Sequence, residues 1–110
     1  TRGAEPRLSR HVELLWFSDC PNHPIARRLL ADATERLAPG TTIEEVDASD
    51  PDVAASHRFP GSPTIRVEGI DIEPGFRDPG DYTPRCRLYW TTAGLRGVPD
   101  PAWIEEALGG

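Results

Sequence analysis

The chain has 110 residues, with 12 Lys and Arg against 18 Asp and Glu, for a net charge of −6. That length suits one domain with its own hydrophobic core and leaves little room for two. The acidic balance, without a basic stripe, argues against a nucleic-acid surface, and apolar runs of at most about five residues argue against a membrane span, which needs ~20.

Residues Thr1 to Arg10 are polar and read as a frayed N-terminus. They lack an apolar h-region, so no signal peptide is expected. Two cysteines and an acidic, Arg-rich surface fit a cytoplasmic protein.

His11 to Phe17 reads as the first strand. It is apolar at nearly every position, which places it centrally, covered on both faces. Ser18 to Pro24 forms a turn carrying Cys20. Ile25, Leu29, Leu30, Ala33 and Leu37 then recur at helical spacing, with Arg27, Arg28, Asp32, Glu35 and Arg36 on the other side. Pro39-Gly40 stops that helix.

Thr42 to Asp47 reads as a second strand with a thinner apolar face. Its acidic run Glu44-Glu45-Val46-Asp47 suits an exposed edge, where charge discourages unwanted pairing. Asp50-Pro51 opens a short helix, with a side-chain acceptor at the N-cap and proline at the first helical position; the pattern carries it to about Arg58. Ile65 and Val67, then Ile70 and Ile72, alternate with polar neighbours around Glu68-Gly69, the pattern of a β-hairpin.

Glu73 to Pro99 reads as an irregular segment of roughly 25 residues, a length that in a compact domain often signals function. Much of the chain's excess of Gly (10) and Pro (12) falls there, which predicts a long ordered loop. It holds Cys86 and a short strand-like run, Arg87-Leu88-Tyr89-Trp90-Thr91. Asp100-Pro101 repeats the helix-start signal, and Trp103, Ile104, Ala107 and Leu108 give the last helix an apolar stripe. The predicted order is β-α-β-α-β-β-α in an α/β domain over residues 11–110, with an insertion at 74–99. The first two strands flank a helix and imply a right-handed parallel crossover.

Cys20 is the most informative residue. A thiol at a strand-to-helix junction faces unpaired backbone N–H groups and the positive end of the helix dipole, and both favour thiolate over thiol. It is a candidate nucleophile or soft-metal ligand; the alternative is a small buried core residue. His23, three positions on, can share a face with Cys20 and act as cation or base, or stand exposed at the helix start. Asp19 either opposes the thiolate or caps the helix. Trp16, Phe17 and Phe59 read as core.

The element order, with a cysteine after the first strand, resembles the thioredoxin-like superfamily. Phe59-Pro60-Gly61-Ser62-Pro63-Thr64-Ile65 resembles that family's proline loop, in which a cis proline precedes the third strand and lies against the active-site cysteine. Pro63 is the matching proline. The resemblance covers roughly Val12 to Glu73 and the last helix, and it implies a three-layer sandwich. It also implies that Ser62, Pro63 and Thr64 bind substrate, with Pro63 presenting backbone to an extended chain. The family's usual Cys-x-x-Cys is here Cys20-Pro21-Asn22-His23, which forbids a local dithiol cycle and leaves fold better supported than activity.

Cys86 is the remaining thiol. The resemblance sets the fourth strand parallel to the first, so the insertion leaves from the sheet edge that carries Cys20. If the two cysteines meet, three chemistries are open. One is a reversible bond, with Cys20 attacking and Cys86 resolving. Another is a permanent staple worth ~2–4 kcal/mol. The third is a clamp for Zn²⁺, Cu⁺ or Hg²⁺. If they do not meet, Cys86 is a small core residue.

Cys20-x-x-His23 also suits zinc, but only long-range folding of His57 and Cys86 would complete a tetrahedral set. No metal site and no cofactor is assigned. The expectation is a thiol-disulfide oxidoreductase whose partner is a protein or small-molecule thiol or disulfide. A soft-metal handler and a non-catalytic accessory domain presenting the long loop are the alternatives.

Overall fold

A computed structural model describes residues 10–109. In chain order these form β1 (Val12–Trp16), α1 (His23–Leu37), β2 (Ile43–Asp47), α2 (Pro51–Ser56), β3 (Thr64–Val67), β4 (Ile70–Asp71), β5 (Tyr89–Thr91), β6 (Gly94–Arg96) and α3 (Pro101–Gly109). The frayed terminus expected over residues 1–10 lies outside the described residues except for Arg10. That residue is tied down: its backbone N–H donates to Thr41 Oγ1 at 3.1 Å.

The main sheet runs β2-β1-β3-β4. β1 and β2 are parallel, and α1 makes the crossover; β1–β3 and β3–β4 are antiparallel. β1 is central because its side chains are apolar on both faces. Val12 and Leu14 join Leu30 of α1, Ile65 and Val67 of β3, and Ile104 and Leu108 of α3 in one core. Leu15 points the other way, into a second core with Val46, Ala48, Ala54 and Phe59. Helices therefore cover both faces: α1 and α3 one, α2 the other. β2 is an edge strand, and of its residues only Val46 is buried.

α2 stops at Ser56, two residues before the expected Arg58. Arg58 adopts a left-handed conformation at φ 51°. Its N–H reaches Ala55 O at 3.1 Å and the Phe59 N–H reaches Ala54 O at 2.9 Å, closing a Schellman cap. The cap turns the chain inward at Phe59, the first of seven consecutive buried residues ending at Ile65. The β3–β4 hairpin turns through Glu68 and Gly69, both at positive φ (55° and 78°), as a tight primed turn requires.

The segment expected to be irregular contains a second hairpin. β5 and β6 pair antiparallel, with Trp90 opposite Leu95. Tyr89 faces inward and is buried, whereas Leu88, Trp90 and Leu95 face outward and are exposed. Among the described residues, no helix is long and apolar enough to cross a membrane.

Candidate functional site

Cys20 lies between β1 and α1, two residues ahead of the helix N-cap Asn22, whose side chain makes no capping hydrogen bond. The turn is held from below. The Cys20 N–H donates to Phe17 O at 3.1 Å and the Ser18 N–H to Ser49 Oγ at 2.8 Å. Cys20 is buried with 7 % of its surface exposed, Cys86 is exposed, and both are free thiols. The exposure of Cys86 removes the option that it is a small core residue.

His23 is buried as the first residue of α1, not exposed at the helix start. Its ring stacks on Trp16, with centroids 4.2 Å apart and planes 7° apart. Nε2 lies 2.9 Å from Glu45 Oε1 on β2 and 3.3 Å from an Arg27 nitrogen. Arg27 donates twice to Glu45, both at 2.8 Å. The Arg27 guanidinium holds the Glu45 carboxyl below its ordinary range; partial burial opposes this and His23 adds to it. The imidazole thus joins β1, α1 and β2: an Nε2–H donates to Glu45, Arg27 lies beside the same nitrogen, and neither contact reaches Cys20.

The proline loop stands at the same end of the sheet. Leu15 is opposite Thr64 in the β1–β3 register, so residues 62 and 63 lie beside the end of β1 from which the Cys20 turn departs. The Ser62–Pro63 peptide is cis. Ser62 is bridged to Cys86: its N–H donates to Arg85 O at 2.8 Å, and its carbonyl accepts the Arg87 N–H at 2.9 Å. The Pro63 carbonyl accepts the Tyr89 hydroxyl. Thr64 Oγ1 donates to Gly61 O at 2.6 Å and accepts from Arg87 at 2.8 Å. Both cysteines and the three proline-loop residues are therefore gathered at one sheet end, with the loop's hydrogen-bonding groups turned toward the chain's own insertion.

The insertion is fastened by Arg87, which no sequence pattern singled out. Its guanidinium bonds both Asp71 oxygens, at 2.7 and 3.1 Å, and Glu73 at 2.8 Å. It lies 4.4 Å from the Tyr89 ring centroid and 5.0 Å from that of Phe76. Burial works against the Arg87 charge, but the bonds to Asp71 outweigh it and raise its pKa above the ordinary arginine value. Burial also pushes the Tyr89 phenol far above its usual range, with Arg87 pulling the other way. Gly61, at φ +128°, lets the two segments approach: a Cβ there would sit 2.8 Å from Arg87 Cβ. At the far end of the hairpin, Gly97 lies under the Asn22 amide, where a Cβ would meet Nδ2 at 2.2 Å.

Elsewhere, His11, Glu13 and Glu44 bring ligand-type atoms within 4.8 Å of one another on the exposed start of β1 and β2, the one such group among the described residues. Cys20, His23, His57 and Cys86 do not form one. A groove lined by Val67, Ile70, Ile72, Trp103 and Ala107 opens beside α3, with neither cysteine in its walls. No protein-family description, curated protein or solved structure matches the chain.

Proposed function

We propose that this protein is a thioredoxin-like thiol-disulfide oxidoreductase in which Cys20 is the nucleophile and Cys86 the resolving thiol. One observation carries the reading. The turn holding Cys20 leaves β1 beside the proline loop, and Cys86 is bridged to Ser62 of that loop. In this reading Cys20 attacks a disulfide, one thiol leaves, and Cys86 displaces the second to close a Cys20–Cys86 bond. His23 acts as a positioning residue: stacked on Trp16 and bonded to Glu45, it fixes the turn that presents the thiol. Two free thiols suit a reducing, cytoplasmic setting.

Alkylation of the folded protein followed by mass spectrometry, before and after a mild disulfide oxidant, tests this. The expected result is joint loss of both thiols, restored by reductant. Cys86→Ser should arrest at a mixed disulfide on Cys20, and Cys20→Ser should abolish the reaction. Oxidation that proceeds unchanged in Cys20→Ser refutes the assignment.

The low exposure of Cys20 favours a second reading, a non-catalytic accessory domain. A Cys20 that resists both alkylation and oxidation in the folded state would establish it.

A further inference from the structure

An extended polypeptide bound beside Cys20 needs an unpaired backbone edge, and the proline loop does not offer one. The Ser62 N–H and carbonyl are both taken by residues 85 and 87. Pro63 has no N–H, and its carbonyl takes the Tyr89 hydroxyl. The Ser62 hydroxyl has no partner but is buried, so it gives a passing chain no hold.

The occupying segment is not loosely laid down. Arg87 is anchored to Asp71, a pair in which both side chains are buried (7 % and 3 % exposed). Displacing the segment would part those charges in a low-dielectric setting, which is strongly unfavourable. At its other end the hairpin abuts the cysteine turn through Gly97 and Asn22.

We infer that the Cys20 site takes low-molecular-weight disulfides and not polypeptide disulfides, because residues 85–87 of the chain itself fill the backbone edge of the proline loop. The inference rests on the redox reading above and specifies its substrate class. The Cys20 thiolate attacks one sulfur of a small disulfide; the S–S bond breaks, and the first thiolate leaves with the electron pair and takes up a proton. The Cys86 thiolate then attacks the Cys20 sulfur and releases the second thiolate. The small disulfide is reduced to two thiols and the cysteine pair is oxidised to one disulfide. Excess small thiol reverses the sequence.

The test measures oxidation of the reduced full chain by bis(2-hydroxyethyl) disulfide and by a disulfide-linked dimer of an unstructured peptide. Each rate is normalised to that disulfide's rate with dithiothreitol. The expected normalised ratio favours the small disulfide by at least about tenfold, a change that two ordinary backbone hydrogen bonds can supply. In Tyr89→Phe, which frees the Pro63 carbonyl, and in Gly61→Ala, which pushes Arg87 away, the ratio should move toward the peptide. Equal normalised rates in the parent overturn the inference while leaving the redox reading intact. A ratio unchanged in both variants assigns the preference to bulk alone and also overturns it. Failure of Cys20 to react with either disulfide removes the redox reading and this inference with it.

Discussion

Replacing Arg87 with methionine tests the central physical claim about the insertion. Arg87 makes four side-chain hydrogen bonds: one to Thr64 Oγ1, two to Asp71 and one to Glu73. The two acids differ in what they lose. Glu73 is 28 % exposed and can turn to water, so its share is small. Asp71 is 3 % exposed and would be left as an uncompensated buried charge. Breaking a buried pair from one side costs about 3–5 kcal/mol.

Against a total stability of roughly 5–15 kcal/mol for a domain of this kind, that is a large share. At ~4–8 °C per kcal/mol the melting temperature should fall by more than about 12 °C. Urea unfolding followed by tryptophan fluorescence reads the change directly. The double variant Arg87→Met with Asp71→Leu should recover most of the loss, because no charge is then stranded. An Arg87→Met chain within about 1 kcal/mol of the parent would refute the claim that a buried ion pair secures this segment, since that is the range of an exposed pair.

Acid should also destabilise the fold. Arg27 holds Glu45 below its ordinary range, the Tyr82 hydroxyl holds Asp78, and the Thr83 N–H holds Asp81. Asp100, which accepts from the Thr92 N–H and hydroxyl and from the Ala102 N–H, is likewise held low, chiefly by the Thr92 N–H. A carboxyl with a lowered folded pKa binds its proton later than in the unfolded chain. Its stabilisation is present above the unfolded pKa and is lost as pH falls through the folded one. Urea midpoints should therefore drop progressively below about pH 4, the ordinary carboxylate range, and the drop should be shallower in Asp100→Asn. Asp100→Ala should itself cost about 1–3 kcal/mol at neutral pH, through the lost α3 cap and the unpaired Thr92 groups, read as a lower urea midpoint. Gly61→Ala should cost about 1–3 kcal/mol from a positive φ, together with the 2.8 Å approach to Arg87 Cβ, and thermal unfolding measures it.

Local patterns made much of the framework legible. The two-sided apolar run at Val12–Trp16 places β1 centrally, the spacing from Ile25 to Leu37 gives α1, and Glu68-Gly69 gives the first hairpin. Asp50 and Asp100 mark their helices because capping is decided within two or three residues, and both accept the expected N–H two positions on. The insertion was harder to read. Its second hairpin is short, with three residues a strand, and what pins it lies far off in sequence. Arg87 answers to acids 14 and 16 residues earlier, which alternate with Ile70 and Ile72 exactly as any solvent-facing hairpin acids would. His23 met the same limit. Spacing puts it near Cys20, but its partner Glu45 is 22 residues away on β2, in a run that reads only as a charged edge.

The contact between Gly97 and Asn22 has a mechanical consequence. Arg87 secures one end of the segment, and at the other Gly97 leaves the Asn22 amide no room for a side chain, so the hairpin and the turn that precedes α1 are closely fitted there. Enlarging residue 97 by a single methyl would force that amide to swing aside, so a substitution some seventy-five positions downstream would be felt at the mouth of the first helix.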